Sequence, residues 1–285
     1  MSRRVGQDAP GRVSFGAYGF ALRGLGRSPR GLLKVPQSWP ELRVSRRTDP
    51  VADGAQMLSD DRARLVFEAG GVVDLQREPA RAVFRTPRRL ADEELLHPFL
   101  GGPAAVVARW LGRESFHAGA FVSGGAAWGL VGERESGKSS ALAQLALEGY
   151  EVLVDDVLVV DETIAFAGPR SIDLRGESAE RLGAGEALGV VGARERWRLR
   201  LGPAPAELPL GGWVYLAWGD RTEARPLRGA QRLQELGRHR ALRVPPARPE
   251  LLLELAALPT WELRRPRSWA SVGDAARCLL ETVGA

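Results

Sequence analysis

The spacing of apolar residues changes character near residue 100. Before that point they come in short runs. Leu65-Val66-Phe67 and Val72-Val73-Asp74-Leu75 flank Ala69-Gly70-Gly71, which predicts a hairpin, and Ala82-Val83-Phe84-Arg85 predicts another strand after the break at Pro79. Pro36, Pro40 and Pro50 punctuate the earlier part and predict edge strands and loops. Pro98 and Pro103 interrupt the next segment, so a helix is expected from Pro103 to near Gly112. Beyond it strands and helices alternate. Phe116–Val122 and Ala126–Val131 read as strands joined at Gly124-Gly125. Ser139–Glu148 reads as a helix with Ala141, Leu142, Leu145 and Ala146 on one face and Gly149 as its stop. Glu151–Val154, Val157–Val160, Ser171–Arg175, Arg196–Leu201 and Gly212–Trp218 read as strands, and 228–237, 248–258 and 269–283 as helices. The Gly/Ala/Arg-rich stretch 176–196 reads as a loop. No internal repeat is visible. Two domains follow, a β-rich one over 1–100 and an α/β one over 101–285.

At the junction of a predicted strand and a predicted helix stands Gly132-Glu133-Arg134-Glu135-Ser136-Gly137-Lys138-Ser139, which fits G-x-x-x-x-G-K-[ST]. The glycines permit a tight backbone path that turns successive N–H groups inward at a helix N-terminus, where an anion is stabilised. In such a loop Lys138 reaches the β- and γ-phosphates of a nucleoside triphosphate, ATP or another, and the Ser139 hydroxyl, with Ser140 beside it, faces a Mg²⁺ ion. Glu133 and Glu135 add negative charge close to the phosphates. Asp155-Asp156 then follows the apolar strand Glu151–Val154. One carboxylate of such a pair can take the proton of an attacking hydroxyl while the other holds Mg²⁺ directly or through water.

Composition sharpens one of these points. Of 40 basic residues only Lys34 and Lys138 are lysines, so a chain that otherwise uses arginine has set a lysine inside its glycine loop. A compact ammonium bends over a phosphate where a planar guanidinium does not. The net charge of +5 and pI near 10.1 do not point to nucleic acid, because the basic residues are scattered among 35 acidic ones. No apolar run reaches the length of a membrane span. Met1-Ser2-Arg3-Arg4 is not followed by an apolar signal core, and the single Cys278 rules out an internal disulfide, so a cytoplasmic protein is expected. The three histidines, His97, His117 and His239, have no metal-ligand spacing.

These motifs resemble the catalytic domain of the HPr kinase/phosphorylase family. His117 precedes Gly132 by fifteen residues and Lys138 precedes Asp155 by seventeen, and Ile172-Asp173-Leu174-Arg175-Gly176 is similar to the family's Ile-Glu-Ile-Arg-Gly signature. The likeness covers 113–176 in motif and the rest of the C-terminal half in pattern. It implies a mixed-sheet P-loop fold related to phosphoenolpyruvate carboxykinase, with Asp155 as base toward a serine hydroxyl. It further implies Asp173 near the metal with Asp156, and Arg175 at the phosphate or acceptor. Two positions depart from the pattern. Glu135 stands where a glycine is usual, and Glu177-Ser178-Ala179 replaces an apolar run, which tells against phosphorolysis and against HPr as acceptor. The layout of 31–42, Gly-Leu-Leu-Lys-Val-Pro to Trp-Pro-Glu-Leu, is similar to kinases of ribosomally made peptides such as the lasso-peptide tail kinases.

The expected activity is therefore phosphotransfer to a serine of a peptide or small protein. Residues 1–100 would cradle the acceptor or join copies of the chain into a homo-oligomer. Two alternatives stay open: a small-molecule kinase or NTPase of the same fold, and a nucleotide-binding regulatory protein without turnover.

Overall fold

The computed structural model describes residues 13–26, 30–49 and 54–284. They form a mixed α/β structure with two large sheets, a small third one, and helices packed on the second. The first sheet takes its eight strands from residues 14–86. Its spatial order is Leu33–Val35, Ser14–Ala17, Phe20–Arg23, Glu41–Thr48, Arg81–Thr86, Val72–Gln76, Arg62–Val66 and Met57–Leu58. Glu41–Thr48 lies parallel to both its neighbours, and the other pairs are antiparallel. The prolines kept Glu41–Thr48 out of the expected interior strands, yet Pro36 and Pro40 stand just outside it and interrupt no ladder. Pro50 lies outside the described residues. The predicted hairpin is present, with Gly70 and Gly71 at positive φ between paired strands.

The second sheet carries the glycine loop. Its order runs Val152–Val154, Ala118–Ser123, Ala126–Gly132, Glu207–Trp218, Ile164–Phe166, Leu158–Asp161 and Glu114–Phe116. The twelve-residue strand Glu207–Trp218 organises it. Its first residues pair with Ile164–Phe166, and its remainder lies parallel to Ala126–Gly132 on one side and to Thr260–Arg265 on the other. The strand expected over Phe116–Val122 is two strands, broken at His117, because Glu114–Phe116 and Ala118–Ser123 pair with different partners.

Two further expectations are corrected. The helix placed from Pro103 spans Gly101–Trp110 and is preceded by a wider turn over Leu95–Phe99. The stretch 176–196, expected as a loop, holds the helix Gly176–Leu182 and the strand Glu186–Val191. That strand pairs with Arg194–Arg200, which pairs in turn with Ser171–Leu174. Its residues are mostly exposed, so no apolar alternation marked it. The remaining helices, Lys138–Leu147, Ala230–Arg238, Pro249–Ala257 and Val272–Thr282, follow the periodicity. Cys278 is half-buried on the last of them.

One apolar core runs from the first sheet into the second, joining Tyr18, Leu42 and Phe84 to Phe116, Leu158 and Trp213. A second core packs the glycine-loop helix through Leu142 and Leu145 against Val214, Leu263 and Leu279. Trp213 is buried at the middle of the long strand. Its ring meets Phe116 edge-on at 5.0 Å, covers Gly129, where a Cβ would come within 2.4 Å of it, and donates its indole N–H to Leu255 O at 3.0 Å. Trp213→Ala should destabilise the fold by about 3–5 kcal/mol, measured by denaturant unfolding, because the cavity left behind adds to the lost transfer energy.

Candidate functional site

The loop after Ala126–Gly132 is shaped by its own sequence. Gly137 sits in the left-handed region at φ 82 and caps the helix Lys138–Leu147. A Cβ there would lie 2.4 Å from Arg265 Nη2, so the position excludes a side chain by conformation and by space. Arg265 donates to Ser136 O at 2.8 Å and its guanidinium lies over the Trp218 ring at 4.6 Å, which fixes the outer half of the loop to the sheet. Lys138 Nζ folds back to Gly132 O at 2.6 Å and Glu133 O at 3.2 Å. Burial lowers its pKa, with Asp156, Asp155 and Glu133 opposing that shift. Glu135, also at positive φ, projects to Arg175 Nη2 at 2.9 Å, and both side chains are exposed.

Asp155 and Asp156 follow Val152–Val154 and diverge. Asp156 is exposed, whereas Asp155 is buried and its Oδ1 has no hydrogen-bond partner. Burial pushes the Asp155 carboxyl up to about 6, with Asp156 and Asp173 adding to the rise and His97 and a hydrogen bond from Ser139 opposing it. Its position is fixed from behind. Gly119 on the neighbouring strand has no room for a Cβ, which would stand 2.7 Å from Asp155 O and 2.2 Å from the Leu142 side chain.

Asp173, expected near a metal, is already ion-paired. It is buried on Ser171–Leu174, and Arg198 takes both its oxygens, at 2.7 and 2.9 Å. Burial opposes its charge, but the bond to Arg198 and the charges of His97, Arg198 and Arg196 hold the carboxyl below its ordinary range. Arg198 continues to Glu93 O and His97 O, tying the segment before Gly101 to this carboxylate. His97 Nε2 then lies 3.9 Å from Asp155 Oδ2 and 3.7 Å from Asp173 Oδ2. His97, Arg196 and Arg198 were missed by sequence reasoning. None belongs to a spaced motif, and only the three-dimensional return of Arg194–Arg200 beside Asp173 brings them together.

A cavity of about 730 Å³ is lined by Arg134, Glu135, Gly137, Lys138, Ser139, Ser140, Asp155, Asp156, Asp173 and Arg175 of the expected set. Gly132, Glu133 and Ser136 do not line it. Gly132 ends the strand, and Ser136, buried, accepts from Arg265 through its carbonyl. His117 is exposed and His239 buried, and neither lines the cavity. The residues fit a nucleotide's phosphates: a helix N-terminus, a lysine that can leave two carbonyls, and a volume of ligand-pocket size. They fit Mg²⁺ in part. Among the described residues no group of three or more His, Cys, Asp or Glu is arranged to hold a metal. Ser139 and Asp156 face the cavity and suit an ion that keeps waters and phosphate oxygens as ligands.

No protein-family model matches the chain, and no curated protein matches it. Among solved structures, the HPr(Ser) kinase/phosphatase from Coxiella burnetii is similar at TM-score 0.32 and 10% identity, covering 59% of this chain and 95% of that one. A likeness of that size carries nothing about activity. No helix among the described residues is long and apolar enough to cross a membrane.

The raised pKa of Asp155 has a consequence for stability that needs no substrate. Ionising it is harder in the folded chain than in the unfolded one, so its contribution to stability falls as pH rises from about 4 to about 6. Asp155→Asn should therefore gain stability relative to the parent above pH 6, by up to about 3 kcal/mol, and lose that advantage below pH 4. Thermal unfolding of both proteins across this range is the measurement.

Proposed function

We propose that this chain is a phosphotransferase that moves the γ-phosphoryl group of ATP to a serine hydroxyl of a peptide or small protein. One observation carries the reading. The glycine-loop lysine and a buried carboxylate, with a pKa near 6 and one oxygen left unpartnered, face the same cavity. A phosphate-binding loop alone serves binding. A carboxylate beside it that is mostly ionised at neutral pH yet more basic than usual is suited to taking a proton from an alcohol. The resemblance of 113–176 to serine kinases supports the choice of acceptor atom.

In this reading the N–H groups at the start of Lys138–Leu147 receive the phosphates, and Lys138 leaves the Gly132 and Glu133 carbonyls to cover their β- and γ-oxygens. The Asp155 carboxylate accepts the hydroxyl proton. The serine oxygen forms a bond to the γ-phosphorus while the bond from that phosphorus to the bridging oxygen breaks, and ADP departs with the electron pair. Ser139 and Asp156 would hold a Mg²⁺ ion, which would supply charge neutralisation on the phosphate oxygens. Asp173 and Arg198 act at a distance from the transfer by fixing His97 beside Asp155. Arg175 reaches phosphate only on leaving Glu135. We assign residues 1–100 to the acceptor. Their sheet ends in the short strands Leu33–Val35 and Met57–Leu58, and an extended peptide can add to such an edge.

Lys138→Ala should reduce transfer by roughly 10³-fold or more and weaken Mg-ATP binding, assayed with labelled ATP and candidate acceptors located by mass spectrometry. Near-normal turnover in the folded variant would remove the loop from the mechanism. Turnover should also climb with pH through about 6 and then level, since Asp155 accepts a proton only when ionised. Asp155→Asn should lower turnover by roughly 10²-fold while sparing nucleotide affinity, and should abolish that rise.

A further inference from the structure

The glycine loop lies between two different walls. The strand order carries the sheet from Ala126–Gly132 through Glu207–Trp218 to Thr260–Arg265 on one side, and through Ala118–Ser123 to Val152–Val154 on the other. Trp218 and Arg265 close the first side, and Asp155 opens the second. A hydroxyl that gives its proton to Asp155 must enter along the second wall. The strands Glu186–Val191 and Arg194–Arg200 add two guanidinium groups there, Arg194 and Arg196, both lining the cavity.

The two are held differently. Arg196 donates through Nε to Val191 O at 2.8 Å, and its Nη1 stands 3.5 Å from Asp173 Oδ2, the oxygen already bonded to Arg198. Arg194 is half-buried, and its side chain makes no hydrogen bond or ion pair among the described residues. Burial lowers the pKa of Arg196, and the neighbouring Arg194 lowers it further. Two like charges are thus kept together in a partly dry wall, opposed by Asp173, which is already bonded to Arg198, and by Asp156 across the cavity. Such a pair is stabilised when an anion arrives between it and the solvent. The donor's phosphates already have the loop and Lys138.

We propose that Arg194, backed by Arg196, recognises a carboxylate beside the acceptor's hydroxyl, so that the favoured acceptor is a serine in an acidic segment of a peptide. This inference rests on the kinase reading and narrows it to a class of substrate. Arg194 selects, and it takes no part in the proton transfer. A planar guanidinium with five donors suits a carboxylate better than an ammonium would.

The test uses the full chain, labelled Mg-ATP, and three model peptides that differ only in whether aspartate, alanine or lysine flanks a single serine. The aspartate peptide should show kcat/KM about tenfold above the alanine peptide at low salt, and less in about 0.5 M salt. Arg194→Glu should reverse the order and favour the lysine peptide, with the KM for ATP unchanged. If the glutamate variant does not fold, Arg194→Ala should level the three peptides. Equal turnover of all three by the parent protein would overturn the inference and leave the kinase reading intact. So would an equal loss on all three in the variant, which would assign Arg194 to the moving phosphoryl group. Failure to phosphorylate any peptide, with Mg-ATP still bound, would overturn both readings together.

Discussion

The buried pair of Arg198 and Asp173 holds the site to the rest of the molecule. A carboxylate with both oxygens bonded to one guanidinium can stay ionised away from water, and an isolated one could not. The same guanidinium reaches the carbonyls of Glu93 and His97, so a single cation joins the small third sheet to the segment that follows the first sheet. His97 stands where it does because its own backbone is gripped in this way. Breaking the pair by removing one partner would leave a buried charge unmatched, and the segment from Glu93 to His97 would lose its anchor.

That arrangement explains the contrast between the two neighbouring carboxyls. Asp173 and Asp155 are both buried, and both lie within 3.9 Å of the same imidazole. Asp173 has a guanidinium and is held below the ordinary carboxylate range, while Asp155 has none and is raised to about 6. The environment therefore separates two identical groups into an anchor and a titrating group.

The glycine loop, its helix and the acid pair were legible in the sequence because each is local. A strand, a left-handed glycine, a lysine and a helical face succeed one another within twenty-five residues. The helices after residue 228 were legible for the same reason, as amphipathic periods. What escaped depended on partners far along the chain. Glu186–Val191 exposes most of its residues, so no alternation announced it as a strand. Nothing in the sequence announces that Arg198, twenty-five residues later, folds back on Asp173. The break at His117 arises because its two flanking strands choose different neighbours, which no propensity encodes. Glu135, which departs from the usual glycine, takes the left-handed backbone a glycine would have taken and turns its carboxylate to Arg175.

The link from Arg265 to Ser136 O bears on how the protein is made. The glycine loop is made well before its frame, because the strand beside it ends at Trp218 and the arginine that pins it is 129 residues downstream. Both parallel ladders of the central strand close over long sequence separations, a topology that forms slowly because much chain must be ordered before any pairing repays it. Until the segment Thr260–Arg265 has been synthesised and docked, a growing chain carries the phosphate-loop sequence without its frame. The frame around the glycine loop is thus completed only when Thr260–Arg265 joins the sheet, long after the loop itself has been synthesised.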